Sequence, residues 1–176
     1  MLFSKNNLLV AELAEKYGPV GGVFFSKDKT VATNRVSLVE VSAIKPDGEQ
    51  IKGAMKGFKP FVVSGADVKN ITTSKLFPYV GVKHADDKKI IFIDRDGNET
   101  TLARQQEKFP EYDMLFKNSG KAEFTIDAGK LVQLLKIMEK VDNKIKIKVG
   151  KDTEPLILSC AGSGQTARAL IMPIKE

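Results

Sequence analysis

One pattern recurs three times along this chain, and it limits the possible folds more than any other feature. Its clearest copy is the third. "KAEFTI" (121–126) reads as a short strand, and Asp127 sits where a helix N-cap would, its carboxylate able to accept the free amides of the next turn. Leu131, Leu134, Leu135 and Met138 then recur at the spacing of one helix face, with Lys130, Gln133, Lys136, Ile137 and Lys140 lying away from it. "KIKIKV" (144–149) alternates strictly, so Ile145, Ile147 and Val149 share one face and three lysines the other. "PLILSC" and "ARALIMPI" follow as strands joined by the turn "AGSGQT".

The middle copy keeps the same β-α-β-β-β order. "FKPFVV" (58–63) leads into the helix candidate "SGADVKNITTSK", capped by Ser64, and then into "FPYVGVK", "KKIIFID" and "ETTLAR". The last two are linked by "RDGN", a hairpin signal. The first copy opens on a helix from about Asn6 to Tyr17, with Val10, Leu13, Ala14 and Tyr17 on one face and Gly18-Pro19 ending it. Its strands are "GGVFFS", "TVATN" and "SLVEVSAI". The helices start near residues 7, 66 and 128, a period of roughly 60. A single helix on a three-stranded meander buries little, so such units need continuous sheets and neighbouring helices. The expected fold is therefore α+β, three units with helices on one face of antiparallel sheets. Residues 1–108 would form a complete two-helix domain, 109–118 a connector, and 119–176 half of a second domain.

Composition narrows the function. With 42% hydrophobic and 28% charged residues the chain is globular rather than disordered. No stretch reads as a signal peptide or a membrane span, and the lone Cys160 makes no intrachain disulfide, which together predict a cytoplasmic protein away from membranes. Cys160 suits a core position. The net charge of +6 is compatible with nucleic acid but does not establish it. No catalytic constellation, cofactor motif or metal cluster is expected. His84 is the only histidine, beside Asp86 and Asp87 in a charged turn, and "KNSGKA" lacks the glycine and hydroxyl spacing of a phosphate loop.

"QQEKFPEYDMLF" (105–116) stands apart, an aromatic segment whose Pro110 and four charges argue against a helix or central strand. Its "EKFPEYDMLF" resembles the inter-domain segment of bacterial sliding clamps, the β subunit of DNA polymerase III. "TVATNRVSLVEVSA" (30–43) resembles that family's Ala-Thr-Asp-Gly-His-Arg-Leu strand. "FTIDAGKLVQLLKIM" and "TEPLILSC…ARALIMPIKE" resemble the two ends of the closing half of its last domain. The four stretches occur in the family's order, over nearly the whole chain. The family's first domain and the opening half of its third have no counterpart here. Asn34, Arg35, Val36 and Ser37 depart from Asp-Gly-His-Arg.

The resemblance implies a DNA-clamp fold and a processivity factor that encircles duplex DNA without reading sequence. It implies a hydrophobic pocket for linear motifs of DNA polymerase and other replication proteins. Thr33 and Leu38 would come from the first unit, Pro110 and Leu115 from the connector, and Leu170, Met172, Pro173 and Ile174 from the last strand. The same residues also suit plain interface core. Lys69 and Lys75 on the second helix, and Lys130, Lys136 and Lys140 on the third, would face DNA; each also suits a solvated helix face. A clamp loader is a further implied partner. A ring of that family holds twelve half-domain units, so four chains of this length would supply one, through a new strand pairing between the first and third units. The alternative is a non-ring module that keeps the pocket and recruits or decoys replication proteins.

Overall fold

The computed structural model of the chain describes residues 1–14, 21–44, 51–116, 125–150 and 154–174. Unit one contains β1 (Phe3–Ser4), α1 (Lys5–Leu9), a 3-10 turn (Val10–Glu12), β2 (Gly22–Phe25), β3 (Lys29–Thr33) and β4 (Ser37–Ser42). Unit two repeats the order as β5 (Phe61–Ser64), α2 (Gly65–Val68), β6 (Tyr79–Ala85), β7 (Lys89–Asp94) and β8 (Glu99–Gln105). Unit three has α3 (Ala128–Met138), β9 (Lys146–Lys148), β10 (Leu156–Gly162) and β11 (Gln165–Ile171). Residues 121–124 of its expected opening strand lie outside the described residues, and Thr125 pairs with Ile174. All three helices start on a side-chain cap: Ser4, Ser64 and Asp127 accept the amides of Asn6, Ala66 and Lys130.

The strands form one eleven-stranded sheet in the order β1-β6-β7-β8-β5-β2-β3-β4-β11-β10-β9. Units one and two exchange their opening strands. β1 pairs with β6 of unit two, and β5 pairs with β2 of unit one. β5 also pairs with the end of its own unit's β8, at Val62–Gln105, and the residues flanking β1 and β4 form an isolated bridge, Leu2–Ile44. Unit three joins through β11, which runs antiparallel to β4 from Ala167–Val41 to Ile171–Ser37.

Strand alternation separates two apolar faces. One carries all three helices. Leu8, Val10, Val68, Leu134, Ile137 and Met138 pack there on Val23, Phe25, Ala32, Val39 and Ala169. Phe3, Phe25, Phe61 and Phe92 are buried among them, with neighbouring ring centroids 5.2–6.2 Å apart. The opposite face exposes the alternate residues Val31, Leu38, Val62 and Leu170 to a covering of Phe109 and Tyr112.

The helices differ from expectation. α1 tightens after Leu9 into the 3-10 turn, where α2 comes so close that a Cβ on Gly65 would lie 2.6 Å from the Ala14 Cβ. Tyr17, Gly18 and Pro19 lie outside the described residues. α2 stops at Val68, just before the β-branched run Ile71-Thr72-Thr73, which loses side-chain freedom in a helix. Lys75 is therefore in irregular chain, and Lys69 is the C-cap. α3 is rotated from its expected face. Ile137 is fully buried with Leu134 and Met138, whereas Leu131 and Leu135 are only partly buried.

Candidate functional site

The helix-bearing side carries the candidate nucleic-acid contacts. Lys69, Lys75, Lys136 and Lys140 are exposed, and Lys130 is partly buried. Lys136 lies in the last turn of α3, where a cation complements the helix dipole. A groove of about 490 Å³ between α1 and α2 is lined by Lys5, Leu8, Glu12, Val68 and Lys69 among others. Lys69, Lys130 and Lys136 lie on or cap the helices of that side, dispersed positive groups suited to loose phosphate contact rather than base readout.

The opposite face carries the candidate peptide site. Thr33 pairs with Leu38 across the β3–β4 hairpin, and Leu38 pairs with Leu170 across β4–β11. The turn is built by Asn34 Oδ1, which accepts the amides of Val36 and Ser37, and by Thr33 Oγ1, which donates to the Ser37 carbonyl at 2.8 Å. Arg35 has a left-handed φ of 71°, uncommon for a residue with a side chain. The amide of Met172 donates to the Val36 carbonyl at 2.8 Å, which brings Met172 and Pro173 beside the hairpin. Ile174 is drawn instead to Thr125.

The connector does not leave this surface open. Thr33, Leu38 and Leu170 are each no more than 8% exposed, and Phe109, Tyr112 and Phe116 pack on the patch that contains the two leucines. Pro110 and Leu115 point outward, Leu115 being 41% exposed and its neighbour Met114 78%. Of the eight residues expected to form the pocket, three make a covered floor, Met172 and Pro173 a half-buried rim, and Pro110, Leu115 and Ile174 an exposed margin. A separate open cleft of about 830 Å³ lies on the other flank of the connector, against β2, β5 and β8. Phe24, Lys29, Pro60, Arg104, Pro110 and Met114 contribute to its lining.

Charged pairs hold the connector down. Lys29 Nζ lies 2.8 Å from Glu40 Oε2 and 3.5 Å from Asp113 Oδ1, and 5.0 Å from the Tyr112 ring centroid. Arg168 reaches the other Glu40 oxygen at 3.6 Å and sits 3.8 Å over the Phe116 ring. Burial works against the Lys29 ammonium, but hydrogen bonds to Glu40 and Tyr112 outweigh it and hold its pKa above the usual lysine value. Burial pushes the Tyr112 hydroxyl up to about 12, opposed by Lys29 and assisted by the carboxylates of Glu40 and Asp113. Sequence reading missed Lys29, Glu40 and Arg168. The available signal was Glu40 itself, a carboxylate inside the otherwise apolar strand "SLVEVSAI".

His84 pairs with Asp86 at 2.8 Å on an exposed hairpin, and His84, together with the amides of Lys89 and Lys88, holds the Asp86 carboxyl below the usual range. Among the described residues no group of three or more His, Cys, Asp or Glu is placed to hold a metal ion, and no helix is long and apolar enough to cross a membrane.

Two β-α-β-β-β units and an α-β-β-β unit in one sheet, with α1, α2 and α3 on one side of it, define the DNA-clamp fold, and comparison with solved structures agrees. The chain is similar to the DNA polymerase III β chain of Streptococcus pneumoniae TIGR4, with TM-score 0.72 and 13% identity, over 100% of this chain and 64% of that one. It is similar to the β subunit from Borrelia burgdorferi, solved with a natural product, at TM-score 0.71 and 15% identity over 99% and 64%. The Bacillus subtilis DNA polymerase sliding clamp matches at TM-score 0.70 and 11% identity over 100% and 64%. The chain thus spans just under two-thirds of the length of these structures. No protein-family model and no curated protein sequence matches it.

Proposed function

We propose that this chain is a sliding-clamp-like processivity factor, a non-catalytic cytoplasmic protein that works on duplex DNA as a ring and tethers replication proteins. The observation that supports it is the fold itself: three clamp units joined in one sheet, with their helices on a common side and Lys69 and Lys136 on or capping those helices. Such a surface binds phosphates electrostatically, without sequence preference and in a salt-dependent way. Four chains of three units would supply the twelve half-domains of a ring. Partners are duplex DNA, a DNA polymerase or other protein with a clamp-binding linear motif, and a clamp loader.

Encirclement is tested by topology. Protein assembled on nicked circular DNA is expected to remain through a moderate-salt wash and to be lost when the circle is linearised. Lys136→Glu with Lys140→Glu is expected to weaken direct binding to a short linear duplex at low salt about tenfold and to flatten the salt dependence of that binding, while retention on the closed circle persists. Equal retention on circular and linear DNA would sink the ring.

The exposed Met114 and Leu115 support a motif-binding margin on the connector. Because Leu115 is 41% exposed, Leu115→Ala should leave folding nearly intact. We expect it, like Met172→Ala, to weaken binding of a clamp-interaction peptide about tenfold. Peptide binding without DNA retention would favour the non-ring recruiting or decoy module, and absence of both would leave only the fold.

A further inference from the structure

The complete domain shows how two units of this type satisfy each other. The opening strand of each unit lies along the second strand of the other, as Phe3–Val80 and Val63–Val23. Each opening residue pair is followed at once by the capped helix. Unit three offers the same two elements, and among the described residues neither is matched. Its second strand, β9, is the terminal strand of the sheet, with β10 on its only paired side. Its opening residues Thr125 and Ile126 precede the Asp127 cap as Leu2 and Phe3 precede Ser4, and Thr125 touches Ile174 just as Leu2 touches Ile44.

We infer that unit three is completed by unit three of a second copy, the Thr125–Asp127 segment of each pairing with the partner's β9 to build a clamp domain shared between two chains. The two open edges are complementary to each other, so one two-fold axis satisfies both. The other opening strands are already used, β1 by β6 and β5 by β2 and β8. Burial supports this occupant. Ile147 is 54% exposed and Val149 40%, on the strand face that in the complete domain is fully covered at Val23, Phe25, Val80 and Val82. Ala128, at the position where Gly65 admits the neighbouring helix, is exposed together with Val132. Charge also fits. Either register that keeps isoleucine on the core side sets Asp127 opposite a lysine of the partner's Lys144-Ile145-Lys146-Ile147-Lys148, because the alternation has period two. Lysines often guard a free edge against pairing. Edge protection alone, however, gives no reason for the uncovered Ile147 and Val149.

This pairing differs from the one expected between units one and three, because β4 of unit one is already taken by β11 of the same chain. It rests on strand pairing and not on DNA binding, so its test is separate. Light scattering across a wide concentration range is expected to show a dimer, or a tetramer built from dimers. Ile147→Asp alters an exposed side chain, so the variant should fold with unchanged circular dichroism. It is expected to halve the assembly, to monomer or to dimer respectively. A wild-type monomer at every concentration would overturn the inference. So would an assembly untouched by Ile147→Asp but broken by Thr101→Lys, which lies on the exposed part of β8.

Discussion

Replacing Asn7 by alanine is expected to destabilise the protein by about 3–4 kcal/mol, measured by urea unfolding, because several buried groups lose their partners together. Asn7 is 0% exposed. Its Nδ2 donates to Thr30 Oγ1 at 3.1 Å and to the Val41 and Ser42 carbonyls at 3.0 and 3.1 Å. Its Oδ1 accepts the Ser4 amide and Gln165 Nε2, both at 3.0 Å. The amide orientation is fixed by these partners, since two carbonyls can only accept. One side chain thereby ties the cap of α1 to strands β3 and β4 and to the β10–β11 hairpin of unit three. Asn7→Asp, nearly the same shape, should cost at least as much, because it sets a carboxylate oxygen against two carbonyls. Loss of less than about 1 kcal/mol in Asn7→Ala would show that the network is dispensable. The uncoupling should be directional: Asn6 Nδ2, which donates to the Lys140 carbonyl at 3.0 Å, becomes a main remaining polar tie between α1 and the end of α3.

That network was invisible in the sequence, and the reason is physical. Asparagine in a first helical turn reads as a local capping residue, and nothing in its neighbours says that strands 23 to 158 residues away supply its partners. The elements that were legible are those fixed by local pattern. The alternation of β9, the hairpin at "RDGN" and the caps at Ser64 and Asp127 each follow from residues within one turn or one strand. The length of α1 was not, because it tightens into the 3-10 turn where α2 approaches at Gly65 and Ala14. Ile137 was misplaced for a related reason. A helix in contact with strands from two units buries a wider arc than its leucines mark, and Ile137 falls inside it. On the opposite face, strands such as "SLVEVSAI" are apolar at successive positions because both sides are covered, which hid the outward set of Val31, Leu38 and Leu170.

The covering itself gives the second large effect. Phe109→Ala is expected to cost about 3 kcal/mol, the low end for a buried aromatic because the site lies at the protein's edge and can partly collapse. Phe109 is 7% exposed, tilted against Phe24 at 5.4 Å and edge-on to Tyr112 at 5.8 Å. No strand runs through residues 106–112, so side chains rather than a ladder fasten this part of the connector. Removing one anchor should therefore loosen the whole segment while the sheet beneath stays folded. Amide exchange is the discriminating measurement. Connector amides should lose protection in Phe109→Ala, whereas those of β3, β4 and β11 should keep theirs until global unfolding. Glu40→Gln provides the comparison. It weakens the pairing to Lys29 and Arg168 but leaves the aromatic packing in place, so it should loosen the connector less. If the connector is one wall of the motif-binding site, peptide affinity must fall in Phe109→Ala even though Phe109 is buried. If the connector instead occludes that site, the same variant uncovers Leu38 and Leu170 and affinity must rise. The sign of that change decides between a groove with its wall in place and a groove closed by its own chain.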